Sequence, residues 1–571
     1  MVHRASAEWY EYYSGYYFYG NASVTVGDIS MRGNVIDANY GIYGAVYDFG
    51  KYMEDAASAT LGDIAIVGNT IESDSEAIYL YYYYVGYYNS GSAVTTLGNV
   101  IIDENQIDTA DEGIYLYYES VAYGMEGEAS SVLGDVFVRD NTVTSDSYGL
   151  YVYYYDYYVG SYNQDDTYAR LPGFVVTGNT FDVADDGVYY YTYSDPDDIY
   201  GNAAVDMGGW LIDSNVFTGT VDYGVYLYIE DVCEGCCDST AVTLADIVIS
   251  NNEFYNPEYD AIYAYFDDIG YSFDEDATLV MGDVKVVDNL VYGAGGDGVH
   301  IDFDDLYSEY SATVVIGNLD ITGNVIVDVG GSAIRVSYYM DADDDSSLTV
   351  GRALVQGNTI AGCQDAGITL DIATDVEPGA TLSYGNPIID ANLISDCRSG
   401  VDLLLEKGAR VVNNAVTGSS DYGITVSTED VVDIIHNTVT SAVPSPATGI
   451  LVGGGTAQIT NTIMVSHSVG LSATMGTTAS IEAILLYGNG IDFGGAGSIT
   501  YTMVITGTPG FAADGYHLAE DSIAIGAGVD AGVTKDIDGD PRPSGAGFDL
   551  GADQYWPAGS KLWLPVVLRN F

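Results

Sequence analysis

Residues 68–84 read GNTIESDSEAIYLYYYY. A glycine-asparagine pair opens the stretch, small and acidic residues follow, and it closes on Ile78-Tyr79-Leu80-Tyr81, where apolar residues alternate with tyrosine. That period of two is a strand signature, because successive side chains on a strand leave opposite faces. The same pattern returns as DNTVTSDSYGLYVYYY at 140–155 and GNTFDVADDGVYYYTY at 178–193. Upstream, Asp63-Ile64-Ala65-Ile66-Val67 alternates in the same way. Glycine and Asn/Asp clusters separate the runs as turn residues do, and no segment carries a helical period.

Aligned on itself, the chain places an asparagine at Asn34, Asn69, Asn105, Asn141, Asn179, Asn215, Asn252, Asn289, Asn324, Asn358 and Asn392 at intervals of 34–38 residues. Asn414, Asn437 and Asn461 then follow at 22–24. A helix-free repeat of this kind predicts an all-β solenoid, each coil burying its inner face against the next. The expectation is about 15 coils: enlarged, tyrosine-rich coils of about 36 residues over 1–350, regular coils of 22–24 over 351–505, and a capping segment with an apolar tail over 506–571. Coils of 22–24 residues fit a three-sided parallel β-helix; the larger ones need roughly a dozen more, and those carry tyrosines.

Register converts composition into geometry. Two residues beyond the small residue that opens each second strand stand Tyr43, Tyr79, Tyr115, Tyr151, Tyr189, Tyr226 and Tyr263, and two further on stand Tyr81, Tyr117, Tyr153, Tyr191, Tyr228 and Tyr265. With strands ~4.8 Å apart, each set is a ladder of rings, and the intervening Ile42, Ile78, Leu80, Ile114, Leu116, Leu150 and Val152 face the core. The first ladder ends where His300 and Arg335 take its position. Cys363 and Cys397 each follow a column asparagine by five residues, which predicts a disulfide across one coil. Cys233, Cys236 and Cys237 share one loop, where a local disulfide is expected to leave one thiol over.

Composition bounds the function. The chain of 571 residues carries 83 acidic against 15 basic side chains, a net charge of −68, and 48 of its 54 tyrosines lie in residues 1–350. Nucleic-acid binding is excluded, since a phosphate backbone needs a basic face. No run of 18 apolar residues exists, so no membrane span is expected. An acidic surface of this strength belongs with salt, divalent cations or an extracellular setting.

The run Val432-Asp433-Ile434-Ile435-His436-Asn437-Thr438-Val439 followed by Gly449-Ile450-Leu451-Val452 resembles right-handed parallel β-helix repeat proteins of the pectate-lyase-like superfamily. The resemblance implies a right-handed β-helix whose stacked asparagines bond neighbouring backbone at a bend. It implies little about activity, because one fold hosts many functions. Lyases and hydrolases of that superfamily use a basic residue with calcium or arginine, or clustered aspartates with a Gly-His-Gly loop. This chain has seven Lys/Arg in its first 350 residues and lacks that loop; Val299-His300-Ile301-Asp302 with Asp304-Asp305 is its nearest approach to such a cluster.

The expected function is therefore a non-enzymatic extracellular or cell-surface structural protein. Its partner is itself, in a head-to-tail homopolymer. The chain opens in mid-repeat at Trp9, and Lys561-Leu562-Trp563-Leu564-Pro565-Val566-Val567-Leu568 reads as a strand. Trp563, Leu564, Val566, Val567 and Leu568 either complete another subunit's first coil by strand addition or fold back as a cap. The segment from Ile525 to Ala552 resembles one that closes secreted bacterial β-helix proteins. In it Asp536, Asp538 and Asp540 carry calcium-loop chemistry without EF-hand spacing; the alternative there is a bend held by carboxylate-to-backbone bonds. No other cofactor is expected. The competing class is a carbohydrate-active β-helix, with glycans as partners of a binding platform or as substrates of a glycoside hydrolase.

Overall fold

The computed structural model describes residues 6–155, 157–219, 221–271, 276–545 and 547–557, leaving aside the side chains of 442–446. Every element among them is a strand, turn or bend. The chain divides into two compact units, residues 1–354 with 363–385 and residues 355–362 with 386–571.

In the first unit a coil has four short strands, such as Ser58–Leu61, Ile64–Val67, Thr70–Ser73 and Ile78–Tyr83. Each lies parallel to its counterpart one coil away, so that Ile114, Tyr115, Leu116, Tyr117 and Tyr118 stand beside Ile78, Tyr79, Leu80, Tyr81 and Tyr82. The dozen extra residues of each enlarged coil supply the fourth strand, and these strands stack into a separate parallel sheet of eleven, from Ser23–Val26 to Thr381–Tyr384. About eleven turns are slightly fewer than the fifteen coils expected. The coils shorten after Asn392 as the asparagine spacing indicated, and there they lose the fourth strand and merge others, as in Thr438–Val452 and Thr456–Ala473, so that an asparagine no longer marks a separate coil of short strands.

Inward residues form the core. Ile64, Ile66, Ile71, Ile78 and Leu80 are buried, as are their stacked equivalents Val100, Ile102, Ile107, Ile114 and Leu116. Each such aliphatic side chain contributes about 1.5–3 kcal/mol of transfer free energy. The bend at the asparagine requires a left-handed backbone just before it: Gly68, Glu104, Asp140 and Gly178 all have φ between 53° and 69°. Glycine adopts that conformation without steric cost and Asp tolerates it, which accounts for the Gly-Asn and Asp-Asn pairs of the repeat.

At the bend Asn105 Nδ2 donates to Asn141 Oδ1 (2.9 Å) and to the carbonyl of Ile66 (2.9 Å), while its Oδ1 accepts from the side chain and backbone N–H of Asn69. A buried amide with both donors and its acceptor engaged is stabilising, whereas a half-satisfied one is costly. The ladder runs from Asn34 through Asn289 to Asn324 in the first unit, and from Asn358 through Asn392 and Asn414 to Asn437 in the second. Asn461 leaves it. The register pairs Thr438 with Ile463, so Thr462 takes the column position and its hydroxyl accepts from the Asn437 N–H (3.4 Å).

In the second unit three-stranded coils such as Ile388–Asp390, Leu393–Ser395 and Ser399–Leu405 give way to longer strands ending at Ser498–Thr506. Beyond them the chain turns back along the asparagine bend. Val529 and Asn461 exchange two hydrogen bonds, Ala552 N donates to Thr438 Oγ1 (2.9 Å), and the buried Arg542 donates to Asn413 and to the carbonyls of Gly551 and Ala552. Leu518, Ala524 and Leu550 pack there against Ile463, Val465, Ala483 and Leu485. This segment covers the flank of the coils, and Tyr501 on the last strand stays largely exposed.

Candidate functional site

Tyrosines of the first unit fall into three populations. The first comprises the two half-buried sheet columns. In the column of Tyr43, Tyr79, Tyr115, Tyr151, Tyr189, Tyr226 and Tyr263, successive ring centroids are 4.7–5.2 Å apart, and Tyr115 lies nearly parallel to Tyr151 (4.7 Å, 2°). The column of Tyr81, Tyr117, Tyr153, Tyr191, Tyr228 and Tyr265 has spacings of 4.9–5.4 Å. From Tyr79 through Tyr115 to Tyr151 ring faces cover one another, whereas Tyr43 meets Tyr79 at 83° and Tyr81 meets Tyr117 at 68°. Tyr81 donates to Glu119 (2.6 Å) and Tyr265 to Asp267 (2.7 Å).

The second population is internal. Tyr82, Tyr118, Tyr154 and Tyr190 are buried, with Tyr82 stacked on Tyr118 at 4.9 Å and 6°. Four consecutive tyrosines at 81–84 hide this row, because identical letters show no alternation.

The third population occupies the turns after the tyrosine strand. There Tyr17, Tyr52, Tyr88 and Tyr162 hold left-handed backbone (φ 52–57°). Many rings meet at right angles: Tyr16 with Tyr17 (77°), Tyr52 with Tyr87 (84°), Tyr87 with Tyr88 (76°) and Tyr88 with Tyr123 (82°). Others stack, Tyr17 on Tyr52 at 11°, Tyr52 on Tyr88 at 8° and Tyr87 on Tyr123 at 9°, and the Lys51 ammonium lies over Tyr84, Tyr87 and Tyr52.

Carboxylates border the columns. Burial, reinforced by Asp111, raises Glu112 to about 7, and burial with Asp185 and Asp222 nearby raises Asp186 to about 7. Burial likewise lifts the phenols of Tyr79, Tyr115, Tyr151 and Tyr189 above their ordinary 10, and Tyr226, beside Tyr223 and Asp186, reaches about 12. At the end of the first column Tyr263 stacks on His300 (4.6 Å), His300 Nδ1 lies 3.1 Å from Asp260, and Arg335 Nε donates to Asp297 (2.6 Å). Asp260, Asp297 and His300 converge closely enough to hold a metal ion, as do Glu76, Asp111 and Glu112. In the first of these clusters the Arg335 guanidinium already neutralises Asp297. Asp302, which accepts from the Ser337 hydroxyl (2.7 Å), lies two residues beyond His300 on the same face of the strand.

Asp536, Asp538 and Asp540 come together as well. Asp536 Oδ1 accepts the backbone N–H groups of Asp538 and Asp540, its Oδ2 accepts that of Gln554, and Asp538 pairs with His517 Nε2 (2.7 Å). That donor set is poorly suited to calcium, since the central carboxylate is spent on closing the bend. Cys233 and Cys236 form a disulfide with Cys237 half-buried beside it, and Cys363 and Cys397 are each disulfide-bonded. Trp563, Leu564, Val566, Val567 and Leu568 lie outside the described residues.

Among the described residues no helix is long and apolar enough to cross a membrane. Comparison with curated proteins finds no match. Residues 279–489 match the family model described as right handed beta helix region, and the strands of that stretch stack in parallel register.

Proposed function

We propose that this protein is a non-enzymatic, extracellular structural protein that assembles end to end into a β-helix fibre. The observation that carries the reading is the first described coil. Among the described residues its strands Ser23–Val26 and Ile29–Arg32 pair on one side, with Ser58–Leu61 and Ile64–Val67. Val26, Ile29 and Met31 are half-exposed there, whereas their stacked equivalents Leu61, Ile64 and Ile66 are buried. Open strand edges beside an apolar rim are a template for another chain. The last described strand of the other sheet, Ser498–Thr506, pairs on one side with Thr478–Tyr487 and offers a parallel edge to a strand such as Ile29–Arg32, and repeated head-to-tail contact yields a filament. The Cys233–Cys236 disulfide supports an oxidising compartment.

The face-to-face stacking of Tyr79, Tyr115 and Tyr151 weighs against the competing reading of a glycan platform over that stretch, since a platform needs ring faces free for sugar. Electron microscopy and light scattering of the purified protein test the proposal. Filaments that grow with concentration, and that are lost in Met31→Glu with far-ultraviolet dichroism unchanged, are the expected result. Monodisperse monomers at every concentration would overturn it.

A further inference from the structure

A second ladder of side chains runs along the bend that precedes Ile64–Val67, Val100–Asp103 and their stacked counterparts. Its members are Asp28, Asp63, Asn99 and Asp135 and, beyond a gap, Asp246, Asp283 and Asn318. Each side chain accepts the backbone N–H one coil on: Asn99 N donates to Asp63 Oδ1 (2.8 Å), Asp135 N to Asn99 Oδ1 (3.0 Å) and Asn318 N to Asp283 Oδ1 (2.9 Å). Donors placed in this way favour an anion. The Asn318 N–H, with Lys285 beside it, holds the Asp283 carboxyl below the usual carboxylate range.

Gly173 and Gly209 stand at the gap and have no side chain to accept with. Among the described residues the backbone N–H groups of Gly209 and Asp246 consequently have no hydrogen-bond partner. Neither has that of Gly208, whose counterparts Gly134 and Ala245 donate to the carbonyls of Leu97 (2.9 Å) and Met207 (3.1 Å). A cavity of about 570 Å³ opens over these groups, lined also by Arg170 and by the outward-facing Val175, Leu211 and Val248. The carboxylates around it are already engaged. Asp206 accepts from Tyr168 (2.7 Å) and Thr243 (2.5 Å), Asp135 from Arg170 (2.6 Å) and the Gly173 N–H (3.1 Å), and Asp246 from the Asp283 N–H (2.9 Å) with Lys285 3.3 Å away. What the cavity leaves unmatched is donors, and an anion satisfies donors.

We propose that this cavity binds a small organic acid, whose carboxylate takes the place of the missing side chains, accepting from the Gly209 and Asp246 N–H groups beside the Arg170 guanidinium, while its apolar body rests on Val175, Leu211 and Val248. The cavity's volume falls within the range of small-molecule sites. The chain's overall negative charge does not forbid an anion there, because at physiological salt it is screened beyond about 8 Å, and Arg170 and Lys285 offset Asp135 and Asp246 locally. Nor does the backbone demand glycine at 173. A Cβ there would stand 3.3 Å from Asp135 Oδ1 and 3.5 Å from Gly209 N, so an aspartate could serve Gly209 as its counterparts serve the other coils. The gap thus forgoes a bond that one substitution would supply.

Hydrocinnamate and its uncharged primary amide test the proposal on the whole chain by saturation-transfer NMR titration at physiological salt. The acid is expected to bind, and the amide to bind more weakly by about tenfold or more. Gly173→Asp and Gly173→Asn refill the ladder with and without charge, and each should weaken binding of the acid about tenfold or more with the melting temperature maintained. Equal binding of acid and amide would mean an apolar patch without anion recognition and would overturn the proposal. Absence of binding by the acid, or unchanged binding in Gly173→Asn, would overturn it too. Should the refilled variants fail to fold, Leu211→Asp at an exposed position of the same cavity decides: binding retained in that variant refutes the site.

Discussion

The sheet columns and the turn clusters arrange the same residue differently. In the columns, strand register stacks Tyr115 on Tyr151 at 4.7 Å and 2°, so ring faces are consumed by like neighbours. At the turns, left-handed residues such as Tyr52 and Tyr88 mix the two arrangements, Tyr52 stacking on Tyr88 at 8° while Tyr88 meets Tyr123 at 82°, and the Lys51 ammonium lies over the faces of Tyr84 and Tyr87. Side-chain chemistry is constant between the two regions, so backbone conformation decides how the rings meet.

The largest expected effect comes from the internal row, which sets the scale for both. Tyr118 is fully buried between Tyr82 and Tyr154. Replacing it with Ala should cost about 3–5 kcal/mol in unfolding free energy, measured by denaturant titration. A loss below about 1 kcal/mol would mean that the row does not hold the coil together.

Acidity comes next, and it acts on both regions. Glu112 and Asp186 beside the column sit at about 7 and Asp197 beside the turns at about 8, against ordinary values of 4.5 and 3.8. Because the folded values are raised, their contribution is fully present below the unfolded values near pH 4 and is lost as pH rises through 7 to 8. Melting temperature should therefore fall between pH 5 and pH 8, and added salt should recover part of the loss by screening. A melting temperature that rises over that interval would contradict the assignment of crowded, desolvated carboxylates.

Lys51 separates the regions more sharply. Lys51→Met keeps the buried stem, removes the charge and leaves Asp48 beside four rings without its ammonium. The expected cost is about 1–2 kcal/mol, with the sheet columns undisturbed. If the variant is as stable as the parent, the rings hold Lys51 as a filler of space.

The sequence made one of these regions readable and concealed the other. Alternation around Ile78 and Leu80, together with the asparagine interval, carried fold class, register and both sheet columns, because strand stacking maps a fixed spacing onto contact. The turn clusters have no such period. Tyr84, Tyr87 and Lys51 meet only through the left-handed turns, and no sequence spacing reports a ring angle. The Tyr82 row was hidden by the uniform run at 81–84, and the departure of Asn461 from the ladder follows from a one-residue slip that keeps the interval of 24. The path of residues 507–557 along the bend rests on bonds such as Arg542 to Asn413, 129 residues apart, which no local pattern encodes.

The smallest expected difference is also the most direct comparison. Tyr115→Leu in the column removes ring stacking on both sides and should cost about 1 kcal/mol beyond the change in buried area. Tyr88→Leu in the turn removes a ring that is nearly half exposed and should cost no more than about 0.5 kcal/mol. Tyr115→Phe preserves the ring and should recover most of the column loss, which separates stacking from the hydroxyl. Measured side by side, a turn loss equal to the column loss would mean that both rings serve packing alike. A column loss restored by Phe, beside a turn that tolerates Leu, would show that the stacked column ring contributes to folding and the exposed turn ring does not.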